Sequence, residues 1–172
     1  MNILILGATG FIGSAAAQRL LADGHSITGL ARNPEKTRNR QLKMRWIEGD
    51  LRNFTAPSSW LPLLSGIEVV VNCAGALQDT MRDDVSAVQQ DAMLALFEAA
   101  STFANIRIIQ ISAPRSLAAS GTEFMDTKLA ADAALAASGI NHVILRPALV
   151  LGRNAHGGSA LLRALAAFPF FT

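Results

Sequence analysis

Seven residues near the start of the chain, Gly7-Ala8-Thr9-Gly10-Phe11-Ile12-Gly13, have the types and spacing to hold a phosphate group. They follow the apolar run Ile3-Leu4-Ile5-Leu6 and precede an alanine-rich stretch, so they read as strand, glycine turn and helix start. Glycine places no Cβ between backbone and ligand. The helix that follows offers unsatisfied N–H groups and the positive end of its dipole, which together suit a pyrophosphate. The spacing is G-x-x-G-x-x-G rather than G-x-G-x-x-G. An acid that grips the ribose of NAD stands about 20 residues past such glycines. Nineteen residues beyond Gly13 the chain has Arg32 instead, a cation suited to a ribose 2′-phosphate and hence to NADP(H), with NAD also possible. Glu35, Lys36 and Arg38 follow close behind. Gly49-Asp50-Leu51 is a short acidic turn able to accept a hydrogen bond from an adenine amino group. Asn72-Cys73-Ala74-Gly75 offers small residues that let the backbone approach a ribose. Cys73 has no histidine nearby in sequence and reads as a packing residue rather than a nucleophile.

These residues need strand ends to stand on, and the pattern supplies them. Strands are expected at Asn2–Leu6, His25–Ala31, Met44–Glu48, Glu68–Cys73, Ile106–Ile111 and Asn141–Arg146. Helices are expected at Phe11–Ala22, from Asp83 or Asp84 through Ala104, at Thr122–Ser138, and after Gly157-Gly158-Ser159. Ser58–Leu64 reads as a short helix that Pro62 breaks or begins. Such alternation predicts a doubly wound, mostly parallel α/β sheet in three layers, the Rossmann-like architecture.

Bulk properties agree. The 172 residues suit one domain, and 51% hydrophobic against 16% charged residues suits a sheet covered on both faces. A net charge of +2 with scattered arginines points to neither nucleic acid nor a membrane surface. One cysteine and three dispersed histidines (His25, His142, His156) give no zinc-ligand spacing. No apolar run is long enough to span a bilayer, and a cytoplasmic protein is expected. The end of the chain, with Phe168, Phe170 and Phe171, reads as a cut within a longer protein whose substrate-binding part lies beyond, or as rings that pack back onto the domain or a partner, including a second copy.

Together these motifs resemble the short-chain dehydrogenase/reductase superfamily in its extended and atypical branches. The glycine turn is similar to the family's T-G-x-x-G-x-x-G, Gly49-Asp50-Leu51 to its adenine-binding acid, and Asn72-Cys73-Ala74-Gly75 to its N-x-A-G element. Leu145-Arg146-Pro147-Ala148-Leu149-Val150-Leu151-Gly152 is similar to R-P-x-x-V-x-G, which lines the nicotinamide side in relatives. The resemblance implies a catalytic Ser, Tyr and Lys, with Tyr-x-x-x-Lys on the helix after the fifth strand. Ser112 and Lys128 match, and Lys128 is then expected to hold the nicotinamide ribose as well. Phe124 stands where the tyrosine belongs, and the chain has no tyrosine at all. A phenyl ring exchanges no proton. Three functions follow from the resemblance. The first is an atypical oxidoreductase acting on a small molecule. The second is a non-catalytic dinucleotide-binding sensor or structural subunit, like the fungal nitrogen regulator or the nucleotide-binding accessory subunit of respiratory complex I. The third is a nucleotide-sugar-type epimerase or dehydratase.

Overall fold

A computed structural model describes residues 1–34, 43–75, 84–114, 121–148, 150–152 and 164. Among them run β1 (Asn2–Leu6), α1 (Phe11–Ala22), β2 (Ser26–Ala31), β3 (Arg45–Glu48), α2 (Pro57–Leu64), β4 (Val69–Asn72), α3 (Ala92–Ser101), β5 (Arg107–Ile111), α4 (Glu123–Ala137) and β6 (Asn141–Leu145). Every pairing is parallel, and the sheet order is β3-β2-β1-β4-β5-β6. The chain therefore winds outward one way from β1 and the other way from β4. The C-terminal ends of these two neighbours mark the switch point at which open α/β sheets receive ligands.

Strand alternation divides the core between two faces. Ile3 and Ile5 point to the face that α1 covers, joining Ile27, Val69, Val71 and Ala17. Leu4 and Leu6 point the opposite way, into a larger cluster with Leu30, Trp60, Val70, Leu96, Ile108 and Leu135. α1 meets its face through Gly13, Ser14 and Ala17, the first two standing four and three residues before Ala17, as a helical stripe requires. On β6 the residues lying toward the α1 side, Val143 and Leu145, are 42% and 47% exposed.

Most element bounds lie within a residue or two of the expected ones. Two differ for physical reasons. α2 begins at Pro57, whose missing N–H costs nothing in a first turn, and Pro62 sits inside it. The helix expected from Asp83 or Asp84 to Ala104 is interrupted. Asp84 does act as its cap, its Oδ1 accepting from the Ala87 N–H at 2.8 Å, but a π turn at Ala87–Asp91 precedes α3, which stops at Ser101. Asp83, the Phe168, Phe170 and Phe171 cluster, His156, and Glu35, Lys36 and Arg38 lie outside the described residues, as does the helix expected after Ser159 apart from Ala164, which is helical. Among the described residues no helix is long and apolar enough to cross a membrane, and no group of three metal-ligating side chains is gathered.

Candidate functional site

The glycine turn owes its shape to two glycines. Gly7 has φ +69°, and a Cβ there would lie 2.9 Å from the Ala74 backbone, so the turn presses directly on the end of β4. A Cβ on Gly13 would overlap the Gly7 carbonyl oxygen, so the first turn of α1 can close onto β1 only without a side chain there. Gly10 differs. As the N-cap of α1 it has extended backbone that any residue adopts, it is exposed, and it lines the cleft. No side chain caps α1, and no acidic residue stands in its first turn. The positive end of the helix is thus left facing the cleft.

That cleft, of about 190 Å³, lies over the switch point. Gly7, Thr9, Gly10, Arg32, Asp50, Leu51, Cys73, Ala74 and Gly75 line it, and each of them was singled out from sequence. Gly49, from the same acidic turn, lines it too, as do Leu30, Ala31 and Val88, which carry no polar signal that sequence reading could find. Phe11, Ile12 and Gly13 lie just behind the turn, in the first turn of α1. A Cβ on Gly152 would come within 2.9 Å of the Phe11 ring, which puts Gly152, five residues beyond Pro147, at the start of α1.

Two groups of charge flank the cleft. At the ends of β2 and β3, Arg32 is exposed, and its charge together with that of Arg52 favours the Asp50 carboxylate. Asp50 caps the short turn Leu51–Asn53, accepting from the Arg52 N–H at 3.1 Å and from the Arg52 guanidinium at 2.6 and 3.0 Å. Its pKa is held below the ordinary carboxylate value, chiefly by that guanidinium. A carboxylate has lone pairs left over after these bonds, so an adenine amino group can still be accepted.

On the β4–β5 side stands Lys128, not a surface lysine but 7% exposed on α4. Its Nζ donates to the Ile111 carbonyl at 3.4 Å and lies 5.7 Å from the centre of the Phe124 ring. A Cβ on Gly75 would sit 3.5 Å from that Nζ, so the ammonium meets the wall of the cleft where no side chain intervenes. Burial lowers the Lys128 pKa, and the charge of Asp132 opposes the shift. Burial also pushes the Cys73 thiol up to about 12, which leaves it inert as a nucleophile at neutral pH. Asn72 is structural. Buried at 2%, it accepts from the Ala74 N–H at 3.0 Å and donates to Gln110 at 2.9 Å, which bends the chain after β4 to shape Ala74 and Gly75. Ser112 is 6% exposed and bonded at 2.8 Å to Asp132, a residue that sequence reading missed although it stands one helical turn beyond Lys128.

Comparison with known proteins places this geometry. The photosystem II assembly factor Ycf39 of Cyanophora paradoxa is 30% identical over 149 residues, covering 85% of this chain and 44% of that protein. The Bordetella bronchiseptica enzyme WbmH in complex with NAD+ superposes with a TM-score of 0.77 at 20% identity, over 96% of this chain and 62% of that one. The UDP-glucuronic acid 4-epimerase of Bacillus cereus in complex with NAD gives 0.73 at 24% identity, over 90% and 59%. The two structures attest the Rossmann-like fold, and the chain spans less than two thirds of all three proteins. A family described as NAD(P)H-binding matches residues 7–165, and the chain belongs to that family.

Proposed function

We propose that the chain is an NADP(H)-preferring dinucleotide-binding protein of the atypical short-chain dehydrogenase type, serving an oxidoreductase in the whole protein. The observation that carries this reading is the uncapped start of α1, opening onto a cleft whose floor is Gly7, Ala74 and Gly75. A cradle that closes only without Cβ atoms fits a pyrophosphate and ribose better than it fits a bulky side chain. In this reading residues 7–13 hold the pyrophosphate, Arg32 the 2′-phosphate and Asp50 with Leu51 the adenine. Cys73, Ala74 and Gly75 give the riboses close backbone approach, Lys128 holds the nicotinamide ribose, and Pro147 borders the nicotinamide. When bound, the nicotinamide would supply the site with a hydride donor or acceptor. The chain's own residues would bind and orient it, with Lys128 and Ser112 buried on the β5 side of the cleft.

Proton transfer is where the site departs from its relatives. Phe124 packs beside Lys128 but carries no exchangeable proton. General acid–base catalysis contributes about 10²–10⁴-fold, so carbonyl reduction by the 172-residue chain should be slower than in relatives by that order. The same feature favours a second reading, a non-catalytic dinucleotide-binding module, and the likeness to an assembly factor supports it. NADPH consumption against a panel of aldehydes, ketones and quinones separates the two, with Phe124→Tyr run alongside. Turnover that Lys128→Ala abolishes supports the oxidoreductase. Its absence from both the unmodified chain and the full-length protein supports the module. Turnover by Phe124→Tyr alone would locate the missing group at that ring.

A further inference from the structure

Asp132 does more than pack the interior of α4. It is 3% exposed, and its Oδ2 accepts from the Ser112 hydroxyl at 2.8 Å and from the Arg146 guanidinium at 2.8 and 3.1 Å. The Ser112 N–H in turn donates to the Leu145 carbonyl at 2.8 Å. Three segments thus close into a ring: the end of β5, the middle of α4 and the end of β6. A serine hydroxyl has one proton, and here it goes to a carboxylate already paired with arginine. The Ser112 hydroxyl is therefore left with acceptor capacity only. Asp132 Oδ1, by contrast, is buried without a hydrogen-bond partner among the described residues, a costly arrangement for a group that only held the fold together.

We propose that Asp132 is a positioning residue for the nicotinamide half of a bound dinucleotide: by gripping Ser112 and Arg146 it fixes where Lys128 meets the cleft. The inference rests on the dinucleotide-binding reading above and adds to it a residue that touches no ligand. The sheet order supports the assignment to one half. Arg32 and Asp50 stand at the ends of β2 and β3, whereas the Asp132 ring ties the ends of β5 and β6, across the switch point. Lys128 is one turn from Asp132 on the same helix, and the carboxylate charge favours its ammonium against the cost of burial.

Calorimetric titration with NADPH and with adenosine 2′,5′-bisphosphate, which carries the adenine half alone, tests this on the wild type, Asp132→Asn and Ser112→Ala. NADPH affinity should fall about tenfold in Asp132→Asn, the scale of lost hydrogen bonds to a charged group, and by less in Ser112→Ala. Bisphosphate affinity should stay within about twofold in both, because a change in folding alone would not discriminate between the halves. Adding Asp132→Asn to Lys128→Met should cost no further NADPH affinity, because Asp132 acts through that ammonium. Equal losses for both ligands, or a folded Asp132→Asn that binds NADPH like the wild type, would overturn the proposal. Should Asp132→Asn not fold, unchanged NADPH binding by Ser112→Ala overturns it. A wild type that binds neither ligand overturns the reading of the cleft itself. A wild type that binds bisphosphate as tightly as NADPH overturns only the role of Asp132.

Discussion

An ammonium held at 7% exposure, with a long bond to the Ile111 carbonyl, costs the fold stability for as long as it is charged. The sign follows from linkage. The folded-state pKa of Lys128 lies below its ordinary value, so in the interval between the two the unfolded chain carries a proton that the folded chain has released. Stability from this residue therefore rises with pH through that interval, while binding that needs the charge fades across it. Lys128→Met keeps the volume and removes the charge. It should raise Tm, by about 2–4 °C for each 1 kcal/mol recovered, and weaken NADPH. Differential scanning calorimetry alongside a binding titration reads both; a lower Tm would show that Asp132 overcompensates for the burial. At the opposite end of the cleft Arg32 stands where an acid would select NAD. Wild-type protein should bind NADPH at least about tenfold more tightly than NADH, and Arg32→Ala should remove most of that preference. Equal affinities in the wild type would strip Arg32 of the role.

At the scale of elements, the strand–turn–helix at the N-terminus was the part most legible in sequence, since a four-residue apolar run and three spaced glycines have few other uses. The structure adds a distinction that spacing alone does not reveal. Gly13 is a packing glycine whose added Cβ would meet the Gly7 carbonyl oxygen, whereas Gly10 is a cleft glycine with ordinary backbone angles. Gly13→Ala should therefore lower stability by about 1–3 kcal/mol in urea unfolding, the usual cost of overpacking. An unperturbed Gly13→Ala would mean that α1 docks more loosely on β1 than its buried face indicates. The π turn before α3 was not legible, because its residues Ala87-Val88-Gln89-Gln90-Asp91 carry no local breaker; in the fold they pack against α4. Asp132 was missed for a related reason. One acid among three on an alanine-rich helix carries no signal of its own until β5 and β6 bring Ser112 and Arg146 against it.

For the whole molecule, the candidate site and the core of the fold meet at one seam. β1 and β4 are the two most central strands, both fully buried between the two core clusters apart from Asn2, and their C-terminal ends carry Gly7 and Cys73 to Gly75. A dinucleotide lying there would touch loops from both halves of the sheet and clamp them together. The most direct measurement is calorimetric titration of NADPH into the wild-type chain and into Gly10→Val. That variant leaves the N-cap backbone angles attainable but puts a branched side chain where a phosphate must approach the start of α1. Binding should be readily measured in the wild type and lost from a Gly10→Val variant that melts as a folded protein. Equal NADPH affinity in the two would contradict a pyrophosphate site at the glycine turn.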